Sequence, residues 1–188
     1  MKKIVLLLVA LSVITCKVMG QVETRYFQNG EANDHFNYQK ANFPPHIYVL
    51  PRFDVDSMLV EDKEMEDCDV PFRFGKAFDT NITLEDSDWE YEDESRIWSM
   101  TFKSAHACSL NFVFENFYLP EGGELYIVSK NGNVEYGPVT SKTINGNGSF
   151  LSNIIPDSCV TVYLKEPLSK KGQSTLTIRR VVHGYKYR

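Results

Sequence analysis

Apolar and polar residues alternate along much of the chain after residue 71, and the pattern is clearest in residues 95–128. Large apolar side chains occupy every second position in two successive runs, residues 98–102 and residues 110–114. A period of two places such side chains on one face of a pleated strand. Residues 120–123, Pro-Glu-Gly-Gly, supply the backbone angles of a tight turn. The stretch therefore predicts three consecutive strands.

The alternation of apolar and polar residues continues on both sides of this stretch. Asn131-Gly132 predicts a hairpin turn, and a loss of phase at Arg179-Arg180 predicts a bulge in the last strand. Residues 54–67 predict one short helical turn at most. Strands are expected at 72–78, 89–91, 95–104, 109–119, 124–128, 134–139, 149–155, 159–164 and 174–185. Eight or nine short strands separated by turns, with no long helix, predict an all-β fold: an antiparallel β-sandwich with jelly-roll-like topology.

The first twenty residues form a separate unit. Two lysines precede the apolar run 4–14, and Val18-Met19-Gly20 provides small residues for cleavage after Gly20. This pattern predicts a signal peptide, and hence a protein that is secreted, periplasmic or at the cell surface. Cys16 offers a lipid-attachment alternative, although its neighbours fit such a site poorly. No later segment is apolar for long enough to span a membrane. We expect a signal peptide at 1–20, an acidic, proline-containing extended leader at 21–70 and a sandwich domain at 71–188.

Charge is divided unevenly along the chain. Residues 21–94 hold 6 basic and 19 acidic residues, whereas residues 95–188 hold 11 basic and 6 acidic residues. The acidic half is therefore expected to pack on the basic half or on a basic partner. No basic stripe is interleaved with stacking aromatic residues, so nucleic acid is not an expected partner.

Three cysteines remain after signal cleavage, namely Cys68, Cys108 and Cys159. An odd number in an exported protein leaves at least one free thiol or an intermolecular pair. Cys108 and Cys159 each lie at the entrance to a predicted strand and are the preferred pair if a disulfide forms. The alternative is three unpaired, partly buried thiols that behave as small apolar residues.

The chain shows no recognisable catalytic, cofactor or metal site. Its four histidines are never spaced as local metal ligands are, and no serine lies in a nucleophile elbow. The acidic run 61–67 lacks the glycine that bends a calcium-binding loop. We therefore expect a protein that is not an enzyme and that needs no cofactor or metal ion.

A group of short motifs recurs in order along the sandwich and leader. They are Arg96-Ile97-Trp98, residues 109–122, residues 124–128, Gly137-Pro138-Val139, Val182-His183-Gly184-Tyr185, and, in the leader, residues 51–54, Glu61-Asp62 and residues 71–74. With these motifs the chain resembles the non-catalytic N-terminal (pro) domain of secreted bacterial lysyl endopeptidases, which are trypsin-like serine proteases. In that family the protease domain follows the His-Gly-Tyr segment, and no residue of its catalytic triad can be placed here.

The resemblance implies a domain that folds, inhibits or otherwise accompanies a trypsin-like protease domain, either alone or as a severed precursor. Lys186 and Arg188 lie where a protease specific for basic residues would process such a precursor, and a merely basic tail is the alternative. A second hypothesis is a secreted adhesion or carbohydrate-binding sandwich, in which Tyr118, Tyr126 and Tyr136 form an exposed platform for glycans. The alternative is that these tyrosines belong to the core and its rim, which is the more frequent role of alternating aromatic residues.

Overall fold

A computed structural model describes residues 22–28, 46–66, 70–143 and 148–186. These residues form eleven strands, one α-helix (α1, Val55–Glu64) and a 3₁₀ turn at Leu168–Lys170. The strands are β1 (Thr24–Tyr26), β2 (His46–Val49), β3 (Gly75–Thr83), β4 (Trp89–Tyr91), β5 (Ser95–Lys103), β6 (Ser109–Tyr118), β7 (Glu124–Ser129), β8 (Val134–Val139), β9 (Phe150–Leu151), β10 (Cys159–Pro167) and β11 (Thr175–Gly184). Nine of them follow residue 71, as the alternation predicts.

The strands form two sheets. The larger has the order β1-β8-β7-β10-β5-β2, with β4 also paired to β5, and the smaller has the order β3-β11-β6-β9. All of the pairs are antiparallel except β2 with β5. The described part of the chain is thus all-β, as predicted, with a single helix outside the sheets.

Strand order identifies the topology. Eight strands remain when β1, β2 and β4 are set aside, and numbered one to eight along the chain they form sheets of order 5-4-7-2 and 1-8-3-6. This interleaving of two Greek keys is the jelly-roll arrangement. The predicted jelly-roll-like topology is confirmed.

The core lies between the two sheets and is built from the alternating residues of the central stretch. Phe102 of the larger sheet meets Phe112 of the smaller sheet edge to face, with ring centroids 5.0 Å apart. Trp98 and Phe114 are fully buried in the same cluster. Burying a side chain of this size stabilises the fold by about 1.5–3 kcal/mol relative to leaving it exposed.

Several boundaries differ from the predicted ones. β3 begins at Gly75 instead of residue 72, so Phe72 stays outside the sheet and is 63 % exposed. The strand expected at 149–155 is reduced to β9 and an isolated bridge between Ile155 and Leu110. The predicted bulge in β11 is confirmed by a register shift between Ile178 and Arg180.

The helix is longer than the single turn that the sequence predicted. Asp54 caps it, because its side chain accepts a hydrogen bond from the backbone N–H of Ser57 at 3.0 Å. Asp56 in the first turn and Lys63 in the last turn suit the helix dipole. The helix buries none of its residues completely, so these end effects and a few tethers hold it in place.

Two segments that the sequence assigned to the leader are strands of the larger sheet. β1 pairs with β8, and β2 pairs in parallel with the second half of β5. The larger sheet therefore extends across the boundary predicted between residues 70 and 71. The predicted signal peptide lies outside the described residues. Among the described residues, no helix is long and apolar enough to cross a membrane.

Candidate functional site

A cleft opens at one end of the smaller sheet, and we call it the end cleft. It has a volume of about 490 Å³ and is lined by Phe72, Phe74, Cys108, Ser109, Ile154, Pro156 and Lys186. These residues come from four places: the segment before β3, the start of β6, the segment after β9 and the residues after β11. A volume of this order and a mostly apolar lining are typical of binding sites.

Backbone hydrogen bonds fix the wall of the end cleft. The carbonyl oxygen of Phe74 accepts from the backbone N–H of Tyr185 at 3.0 Å and from that of Lys186 at 3.3 Å. On the opposite side, the backbone N–H of Cys108 donates to the carbonyl oxygen of Gly184 at 2.8 Å. The residues after β11 are therefore held between the two walls.

A second opening, the side cavity, adjoins the end cleft. It has a volume of about 300 Å³ and is lined by Asp62, Met65, Glu66, Val70, Pro71, Phe72, Arg73 and Lys186. Phe72 and Lys186 line both openings, so the two form one recessed surface that extends from the smaller sheet to the end of α1.

Asp62 connects the helix to this surface. Its carboxylate accepts hydrogen bonds from Arg73 Nε at 2.7 Å and from Tyr185 Oη at 2.9 Å, and Lys186 Nζ lies 2.6 Å from Oδ2. Burial opposes ionisation, but the hydrogen bonds from Lys186, Arg73 and Tyr185 outweigh it and lower the pKa of Asp62. We call Asp62 and these three partners the Asp62 cluster.

Arg73 belongs to a wider ion-pair network. Its Nη2 also donates to Glu61 Oε2 at 3.0 Å, and hydrogen bonds from both acids raise the pKa of the guanidinium. Arg73 and Lys186 each carry a positive charge, and each lies within 3.0 Å of a carboxylate of α1. The network therefore ties α1 to the segments before β3 and after β11.

One serine and one histidine come together, but deep inside the protein. Ser104 Oγ lies 2.6 Å from His183 Nδ1, and both side chains are buried. His183 Nε2 has no hydrogen-bond partner, and the ring of Phe53 meets the imidazole edge-on at 4.8 Å. Burial, followed by the charge of His106, lowers the pKa of His183. Ser104 and His183 therefore contact one another in the buried interior of the sandwich.

The two cysteines proposed as a disulfide are free thiols in the structure. Cys159 begins β10 in the larger sheet, whereas Cys108 precedes β6 in the smaller sheet and lines the end cleft. The predicted bond between them is therefore not formed in the structure.

The proposed processing residues are only partly described. Lys186 is held by Asp62, and its side chain is mostly covered. Its ammonium group also lies over the rings of Phe72 and Tyr185. Gly20 and Arg188 lie outside the described residues.

The tyrosine platform expected for a glycan-binding protein does not form. Tyr126 and Tyr136 are buried within the larger sheet, and only Tyr118 is exposed. Tyr126 and Tyr136 are core residues, the alternative that the sequence also offered, because each belongs to an apolar cluster.

Arg96, which belongs to one of the motifs that carry the family resemblance, has a structural role. Arg96 stacks on Trp89 at 3.8 Å, and its Nε donates to Glu166 Oε2 at 2.6 Å. Glu166 is fully buried and also accepts from the backbone N–H groups of Gly172 and Ser174. Arg96 therefore joins β5 to β4 through Trp89 and to β10 through Glu166.

No group of three or more His, Cys, Asp and Glu side chains is arranged to hold a metal ion in the described ranges. A comparison with protein-family models found none that matches this chain, and no solved structure matches it. The end cleft and the adjoining Asp62 cluster form the candidate functional site of the described residues.

Proposed function

We propose that this chain is a secreted, non-catalytic β-sandwich that accompanies a trypsin-like serine protease domain as a folding, inhibitory or accessory module. The observation that carries the proposal is the exposed apolar end cleft beside Tyr185. In the family that the chain resembles, the protease domain follows the His-Gly-Tyr segment, which here ends at Tyr185. A protease domain in that position would lie next to the end cleft.

Charge supports the same proposal. Residues 54–66, which comprise α1 and its flanking residues, contain six acidic residues and one basic residue, and two of the acids, Asp62 and Glu66, line the side cavity. An acidic surface attracts basic surfaces, so the module would dock on a basic face of the protease, away from the negatively charged pocket that binds lysine or arginine. The module thus combines apolar and acidic surfaces at one end of the sandwich.

The test is to mix residues 21–188 with the catalytic domain of a lysyl endopeptidase. Initial rates on a small lysyl ester are measured at increasing module concentration, and the yield of active protease is measured after refolding with and without the module. We expect the rate to fall or the yield to rise, while an unrelated jelly-roll protein of similar net charge has no effect. If neither quantity changes, the proposal is wrong.

A further inference from the structure

Large apolar side chains that normally avoid water are gathered around the two openings. Phe72 is 63 % exposed, Val70 51 %, Met65 45 % and Ile154 42 %, and each lines the end cleft or the side cavity. Single exposed apolar residues are ordinary on protein surfaces, but a contiguous group rimmed by polar residues marks an interaction surface.

The positive charges at this surface are already neutralised. Arg73 is paired with Glu61 and Asp62, and Lys186 is paired with Asp62. Glu64 and Glu66 at the end of α1 are exposed and outnumber the exposed Lys63 beside them, so the net charge presented to an approaching molecule is negative. The apolar group therefore has an acidic margin on the side of the helix.

We infer that the end cleft and the acidic end of α1 together form a docking surface for a basic protein partner. The partner would insert a large apolar side chain into the end cleft beside Phe72 and Ile154. Its lysine or arginine side chains would lie against Glu64 and Glu66. A second copy of this chain is a poor occupant, because it would place its own acidic helix against the same margin, and residues 21–188 carry 25 acidic and 17 basic residues.

The inference depends on the proposed function in one respect, which is that the partner is a protease. The chemistry of the surface, apolar at the centre and acidic at the rim, is a property of this chain. Two probes are therefore used in the experiment. One is the lysyl endopeptidase catalytic domain with its nucleophilic serine replaced by alanine. The other is an array of short peptides that carry one phenylalanine or leucine flanked by two lysines, with glutamate-flanked peptides as the matched set.

Two sets of variants test the docking surface, and each set has a matched control at another exposed position. Phe72→Ala and Ile154→Ala truncate the apolar centre, whereas Leu151→Ala truncates a side chain that is also exposed but does not line the end cleft. Glu64→Gln with Glu66→Gln removes the acidic margin. Glu92→Gln with Glu94→Gln removes the same charge from the exposed turn between β4 and β5. All of these side chains are exposed, and circular dichroism is to be used to check that each variant is folded.

We expect Phe72→Ala and Ile154→Ala to weaken binding about tenfold or more, as truncation of a central interface residue does, with Leu151→Ala close to the wild type. Loss of Glu64 and Glu66 should slow association and reduce its salt dependence, while loss of Glu92 and Glu94 should not. Equal binding by the Phe72 and Leu151 variants would overturn the docking surface, and so would a wild-type protein that binds neither of the two probes. Phe72-dependent binding to lysine-flanked peptides without binding to the protease would support the surface and contradict the proposed function.

Discussion

Lys186 Nζ lies 2.6 Å from Oδ2 of Asp62, so a residue that follows the last strand is bound to the only α-helix in the described part of the chain. The same carboxylate receives hydrogen bonds from Arg73 and Tyr185. The contact fastens α1, which buries no residue completely, to the sandwich. It also holds the side chain of a lysine that a lysine-specific protease would need to extract.

The Asp62 cluster should protect the peptide bond after Lys186 from proteolysis. A lysine-specific endopeptidase must draw the lysine side chain into its pocket, which here requires breaking the ion pair. We expect Asp62→Asn to raise the rate of cleavage after Lys186 about tenfold, since loss of a charge-assisted contact is worth about 1.5–3 kcal/mol. Mass spectrometry of timed digests measures cleavage at each lysine.

Glu61→Gln is the matched control for this prediction, because Glu61 binds Arg73 and does not contact Lys186. Cleavage after the exposed Lys142 serves as an internal reference that should be the same in all three proteins. If wild-type protein is cut after Lys186 as fast as after Lys142, Asp62 does not protect the bond.

His183 should make the fold less stable in mild acid. Burial lowers the pKa of His183 in the folded state. As the pH falls below about 6.5, the ordinary pKa of histidine, the unfolded state therefore binds a proton that the folded state does not bind. The contribution of neutral His183 to the free energy of unfolding is therefore fully present above the pKa of the unfolded state. It declines by at most about 1.4 kcal/mol for each pH unit between the two pKa values.

Urea midpoints at pH 7.5 and pH 5.0 test this pH dependence. The decrease in the midpoint should be smaller in His183→Gln, which removes the titrating group, than in the wild type. His46→Gln changes an exposed histidine near Asp88 and should retain the wild-type decrease. Equal decreases in all three proteins would show that His183 does not titrate as stated.

Arg25 should contribute to stability through β1. Its Nη2 donates to the carbonyl oxygen of Gly137 at 3.1 Å, and its Nη1 lies 3.5 Å from the carboxylate of Glu135, which is fully buried. Arg25→Met removes a positive charge next to that carboxylate and should cost about 2 kcal/mol in the free energy of unfolding. Arg52→Met, at an exposed arginine, is the control and should leave the urea midpoint unchanged.

Glu166 should be highly sensitive to substitution. Burial disfavours its charged form, but the hydrogen bonds from Ser174, Gly172 and Arg96 outweigh this effect and lower its pKa. Glu166→Gln leaves the Arg96 guanidinium buried without its counter-charge and should cost about 3–5 kcal/mol in the free energy of unfolding.

A double-mutant cycle checks that Glu166 and Arg96 act as a pair. Arg96→Met combined with Glu166→Gln should cost clearly less than the sum of the two single changes, as measured by urea unfolding. Strict additivity would show that the two residues stabilise the sheet independently of one another.

The sequence predicts the parts of this fold that depend on alternation. Trp98, Phe102, Phe112 and Phe114 are buried as expected because a pleated strand places alternate side chains on one face. The helix was underestimated, although Asp54 with Ser57 three residues later is a visible N-cap signal.

The candidate site was not predictable from local pattern. Phe72 and Phe74 alternate as strand residues do, yet β3 begins only at Gly75 and Phe72 stays in solvent. Asp62 and Tyr185 are separated by 123 positions, so no spacing rule brings them together. Both features depend on the pairing of β11 with β3 and β6, which are distant in sequence. The local periodicity of the sequence does not predict such pairing.

The positions of β1 and β2 affect how the protein assembles. These strands come from the first part of the chain, yet they occupy opposite borders of the larger sheet, and their partners β8 and β5 are synthesised later. Until they dock, β8 and the second half of β5 present unpaired backbone groups that can join another molecule edge to edge. The amino-terminal segments thus act as intramolecular protection against polymerisation, and folding of the newly made chain is complete only when both have docked.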